Sequence, residues 1–202
     1  MKAGLLAWIA VAAMGCQMQE TAAVPTREQM VERGRYLVTI GSCNDCHTPF
    51  RMGPGGPEPD MTRLLSGHPE EVQVPPPPAL SPEGWAWAST ATKTAFVGPW
   101  GVSHAANLTP DQNAGLGIWD EARFFKTLRD GRHRGDGRPI QPPMPWPAIA
   151  RTTDEDLKAV FAFLQSIPPI ENHVPDYEPP PGGTIEHSGT AVLARRDRIE
   201  TR

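Results

Sequence analysis

The sequence predicts a mainly α-helical domain interrupted by a long, loop-rich insert with room for a short β-hairpin. Two capped helical patterns, one beginning at Thr26 and one at Thr153, carry the helical part of this expectation. The insert follows from the stretch between His47 and Trp119, far longer than the usual loop of about 4–6 residues and mostly without periodicity. Composition agrees. The 24 Pro and 19 Gly among 202 residues stay below the ~25–30% that marks low complexity, yet they place much of the chain outside regular structure. Three cysteines exclude a disulfide framework, and a net charge of −4 gives no reason to expect nucleic acid as a partner.

Taken in order, Met1 and Lys2 precede an uncharged apolar run from Ala3 to Gly15. This is the layout of a secretory signal, and it is too short to span a bilayer, which takes about 20 apolar residues. Ala13-Met14-Gly15-Cys16 resembles a bacterial lipoprotein lipobox. That resemblance implies a signal peptide over residues 1–16, lipid on Cys16, and a linker over 17–25. With lipid on Cys16, the same resemblance implies the outer membrane rather than the inner, because Gln17 and not Asp follows the cysteine. Ordinary cleavage near Ala12 or Ala23 is the other reading. Both routes lead to an oxidising compartment.

Thr26-Arg27-Glu28-Gln29 is a capping box, and Met30, Arg33, Gly34, Leu37 and Val38 share one helical face before Gly41 breaks the pattern. The helix therefore ends just ahead of Cys43-Asn44-Asp45-Cys46-His47. A C-x-x-C-H run is the attachment signature of c-type haem. Two thiols three positions apart reach the two vinyl groups on one edge of the porphyrin, and the adjacent histidine ligates the iron. A thioredoxin-like pair would sit in a βαβ pattern and a structural zinc would need four ligands, and neither context surrounds this motif. The expected assignments are one haem c held by Cys43 and Cys46, with His47 as proximal ligand.

The second capped helix starts at Thr153 and repeats Leu157, Val160, Phe161 and Leu164 until Pro168 and Pro169. The small Gly34 on one helix and aromatics on the other permit a close crossing. An N-terminal helix running into C-x-x-C-H, a capped C-terminal helix and a proline-flanked Met between them resemble a class I cytochrome c. Further residues narrow the likeness: Asn107-Leu-Thr-Pro-Asp111, Gly115-Leu-Gly117, a helix from Trp119 ending at Arg129-Asp-Gly131, and Pro142-Pro-Met-Pro-Trp146. They resemble the cytochrome c subunits of bacterial membrane alcohol and aldehyde dehydrogenases. The likeness spans about 27–47 and 105–170. It implies a cytochrome c-like domain, here 26–173 with the insert 48–118. The family often carries two or three haems, whereas this chain has a single C-x-x-C-H.

The distal ligand is sought among Met30, Met52, Met61, Met144, His68, His104, His133, His173 and His187. Pro142, Pro143, Pro145 and Pro147 stiffen the segment around Met144, and the family places its distal Met before the last helix, so Met144 is the expected ligand. Among the histidines, His104 is the best alternative. Met/His ligation raises the haem potential. That suits a non-enzymatic carrier passing electrons from a dehydrogenase or other donor to a downstream cytochrome or oxidase. The alternative is a haem enzyme or ligand sensor with an open distal face, where His104 would serve as acid or base.

Within the insert, the stretch from Met52 to Pro78 is expected to be extended and turned. Trp85 to Val97 alternates as a hairpin would, with Trp85 and Trp87 expected to pack on the domain rather than to form a docking patch. Arg123, Lys126, Arg129, Arg132, Arg134 and Arg138 form a basic cluster that could steer a partner, neutralise haem propionates or simply cover a helix end. Arg51, Trp100, Trp119 and Trp146 are further candidate propionate donors. The tail 174–202, Pro-rich and then basic, is expected to be unstructured.

Overall fold

The computed structural model describes residues 24–78, 80 and 84–182. The signal sequence, Cys16 and most of the linker therefore lie outside the described residues, as does the basic end of the tail. Helix α1 spans Arg27–Ile40, and its capping box is complete: Thr26 Oγ1 accepts from Gln29 N–H while the Gln29 side chain accepts from Thr26 N–H. A single turn, α2, covers Cys43–His47. After the insert come α3 (Glu121–Asp130), capped by Asp120 and closed by a left-handed Gly131, then the short α4 (Trp146–Ile149). Helix α5 (Asp154–Leu164) is capped by the Thr153 side chain, which accepts from Asp156 N–H. Among the described residues no helix is long and apolar enough to cross a membrane.

Helices α1 and α5 cross so closely that a Cβ on Gly34 would overlap the Ala159 carbonyl and lie 2.7 Å from Phe163 Cβ. The buried face of α5 is accordingly Leu157, Ala159, Phe163 and Leu164, with Val160 and Phe161 half-buried at its edge. The periodicity of the sequence finds the helix but not this small rotation toward Gly34. Val38, Leu65, Leu116, Phe124, Leu128, Leu157, Phe163, Leu164 and Ile167 form the core. Arg33 ties the outer edge of the crossing to Asp156 at 3.0 Å.

The insert is more regular than its composition suggests. Strands β1 (Phe50–Gly53) and β2 (Gly56–Pro59) pair antiparallel across Pro54-Gly55, in a region expected to be only extended and turned. Strands β3 (Ala88–Ser89), β4 (Ala95–Gly98) and β5 (Gly101–His104) form a three-stranded meander. It contains the expected hairpin plus a third strand, β5, that the alternation did not reveal. Val74–Pro78 lies along this sheet and, with Ala88–Thr90 and Ala95–Val97, lines a narrow apolar groove. Trp85 is 77% exposed and Trp87 44% exposed, the latter touching Phe96 edge-on. Packing on the domain is thus realised for Trp87 alone, and in part.

Asn172 fastens the insert to the chain's far end. Its side-chain amide donates to the carbonyls of Ser66 and His68, and its carbonyl accepts from Glu70 N–H and Arg63. Beyond it, Tyr177 is buried and donates to the Trp100 carbonyl, while Glu178 and Val102 exchange two backbone hydrogen bonds at 2.8 and 3.0 Å. Ordered structure therefore continues past residue 174, through residues that hydrogen-bond to β5; residues 183–202 lie outside the described residues.

Candidate functional site

A helical turn places positions i and i+3 on one face, so α2 presents the Cys43 and Cys46 side chains together, with His47 following. Both thiols are unpaired. Burial pushes the Cys43 thiol up to about 11. Burial and the neighbouring Asp45 also raise Cys46, against the opposing pull of the Lys93 ammonium. Among the described residues no three His, Cys, Asp or Glu side chains converge as a metal site.

His47 is buried, and its Nδ1 stands 2.7 Å from the Ala106 carbonyl oxygen. A carbonyl only accepts, so Nδ1 carries the proton and Nε2 keeps its lone pair. Burial holds the His47 pKa below its usual value, keeping the imidazole neutral as metal ligation requires. The backbone is clamped too: Gly67 N–H donates to the His47 carbonyl at 2.8 Å. Gly67, at φ +80°, lies so close beneath Ala105-Ala106 that a Cβ would overlap the Ala105 carbonyl. One glycine therefore supports both the backbone of His47 and the peptide that orients its ring.

The Asn107–Gly117 segment holds Ala106 in place. The Asn107 carbonyl accepts from Thr109 N–H and Oγ1, and its amide donates to the Ile170 carbonyl. Asp111 Oδ1 caps Asn113 and Ala114, and the Asp111 carbonyl accepts from Gly115 and Gly117. These residues carried the family resemblance, and their role here is structural.

Met144 is half-buried and packs on the core, as does Cys43. Its loop is fixed at three points. Ser103 Oγ donates to the Pro142 carbonyl at 2.8 Å, Ile140 N–H donates to Gly131, and the Trp146 ring covers Gly131 so closely that a Cβ there would meet it at 2.5 Å. The Pro142-Pro143 peptide is cis. His104, the alternative ligand, is engaged elsewhere: its Nδ1 donates to the Asp176 carbonyl and its ring lies 5.0 Å from that of the buried His68. His68 and His104 are histidines that sequence reasoning gave no shared role, because β5 brings them together only in the fold.

The remaining candidates divide. Arg51 pairs with Glu58 across the β1–β2 hairpin, Trp119 packs on the core, and Trp146 secures the Met144 loop. Trp100 differs from the other three in having a buried indole N–H without a hydrogen-bond partner. In the basic cluster, Lys126 pairs with Asp130, Arg129 with Asp154, and Arg138 lies over Tyr177. Arg123, Arg132 and Arg134 stay exposed and make no ion pair among the described residues.

No protein-family model matches the chain. Individual relatives do. The chain is 27% identical over 87% of its length to the cytochrome c subunit of a quinone alcohol dehydrogenase from Gluconobacter oxydans. It is 29% identical over 74% to a fructose dehydrogenase cytochrome subunit from Gluconobacter japonicus. It is 26% identical over 71% to a gluconate 2-dehydrogenase cytochrome c subunit from Pantoea cypripedii. The resemblance to dehydrogenase cytochrome c subunits is therefore borne out. The chain spans only 30%, 24% and 24% of these relatives' own lengths.

Proposed function

We propose that the chain is a non-enzymatic electron carrier of the cytochrome c type, with one haem c, exported and tethered by lipid on Cys16. It takes electrons from a dehydrogenase or other donor and passes them to a downstream cytochrome or oxidase. The observation that carries this reading is the 2.7 Å approach of His47 Nδ1 to the Ala106 carbonyl, which keeps the proton on Nδ1 and leaves Nε2 its lone pair, in the same turn as two unpaired thiols. Haem c, when bound, supplies an iron that gains and loses one electron. Cys43 and Cys46 would tether it, His47 would be the proximal ligand, and Met144, on its anchored loop, the distal one. Kinship to dehydrogenase cytochrome subunits supports the choice of partners.

An electron carrier keeps both axial ligands in both valences. The purified protein should therefore be low-spin when oxidised and when reduced, and slow to bind carbon monoxide. A high-spin spectrum with rapid carbon monoxide uptake would contradict the carrier and favour the open-faced haem enzyme or sensor. The periplasmic, outer-membrane placement rests on the lipobox resemblance. Intact-mass analysis should find the mature chain beginning at Cys16 with lipid attached and Cys16→Ser without it, and a mature wild-type chain carrying no lipid would refute the anchor.

A further inference from the structure

The turn joining β3 to β4 meets the haem-attachment segment. Phe50, three residues past His47, donates its N–H to the Thr92 carbonyl at 2.9 Å. The Lys93 ammonium lies over the Phe50 ring, 3.9 Å from its centroid. Lys93 closes the turn by donating its N–H to the Thr90 carbonyl, and it does so at φ +56°, in the left-handed region. Glycine is the usual occupant of such a position in a hairpin turn. A lysine there accepts backbone strain, and strain of this kind points to a use for the side chain. Lys93 is exposed and forms no ion pair among the described residues.

We propose that Lys93 tunes electron transfer, placing one uncompensated positive charge over Phe50, three residues past His47, where it raises the reduction potential of the haem site. The proposal rests on the haem reading given above. A cation near the iron favours the reduced form, because reduction removes one positive charge from the centre. The exposed carboxylate of Asp45, the residue before Cys46, acts in the opposite sense. Because Lys93 is solvated, its influence must weaken with salt, as the Debye length falls from about 30 Å at 0.01 M to about 10 Å at 0.1 M.

Potentiometric titration of the haem-loaded full chain tests this. Lys93→Gln should lower the potential, Lys93→Glu should lower it further, and Lys93→Arg should keep it. The differences should narrow as salt is raised. Lys93→Gly separates charge from folding: it removes the ammonium while relieving the left-handed backbone, so its potential should fall as in Lys93→Gln without loss of stability. A cation that merely padded Phe50 would change stability and leave the potential alone. Low-spin, haem-loaded Lys93→Gln and Lys93→Glu chains with the wild-type potential would overturn the proposal. A chain that takes up no haem overturns the reading beneath it instead.

Discussion

Replacing Met144 with alanine should turn a low-spin protein that resists carbon monoxide into a high-spin one that binds it readily, with a lower reduction potential. The thioether is a weak ligand, so it must be held rather than merely available. The loop holds it through Ser103 on Pro142, Ile140 on Gly131 and the Trp146 ring over Gly131, contacts that do not involve the Met144 side chain. Met144→Ala therefore leaves the loop in place and removes the proposed ligand. Loss of a Met/His pair lowers the potential. The stability penalty should be modest, about 2 kcal/mol, the low end for truncating a buried Met, because Met144 is only half-buried. Optical spectra in both redox states, carbon monoxide binding and a denaturation midpoint check all three. An unchanged low-spin spectrum would show that the distal ligand lies elsewhere.

The second large effect is expected at Gly67. Alanine there faces two penalties. The φ of +80° disfavours any L side chain by about 1–2 kcal/mol, and the new Cβ would strike the Ala105-Ala106 backbone, adding overpacking strain of about 1–3 kcal/mol. The consequence also reaches function. To relieve the clash, either Gly67 N–H withdraws from the His47 carbonyl or Ala106 withdraws from His47 Nδ1. Gly67→Ala should therefore lower the unfolding free energy by about 2–5 kcal/mol, with a lower denaturation midpoint, and reduce the fraction of chains with an intact low-spin spectrum. Gly55→Ala is the control, since nothing lies within 4 Å of the Cβ it would add and its midpoint should not move. Equal midpoints for both variants would remove Gly67 from the site.

The residues legible in the sequence were those whose signal is local. Thr26 and Gln29 announce α1, Thr153 announces α5, and the spacing of Cys43, Cys46 and His47 needs no partner elsewhere in the chain. Gly34 and the closeness of the helix crossing were legible as well, because a glycine on an otherwise ordinary face has few other uses. The Ala106 carbonyl was not legible, since a backbone acceptor leaves no mark on residue type. Asn172 and Tyr177 act across large sequence separations and carry no motif. Strands β1 and β2 escaped because Gly and Pro dilute their alternation. Strand β5 takes its register from β4 and from Glu178 rather than from its own residues. Trp85 shows the opposite error, a large aromatic expected to pack that stands in solvent.

Whether Cys43 and Cys46 carry haem is read most directly from the mass of the protein after denaturation. Expressed in a host with cytochrome c maturation, the chain should retain one haem through denaturing electrophoresis and intact-mass analysis. Peptide mapping should place both thioether bonds at Cys43 and Cys46. The Cys43→Ala/Cys46→Ala chain should retain none. A denatured wild-type chain with the unmodified mass and two free thiols would contradict the account.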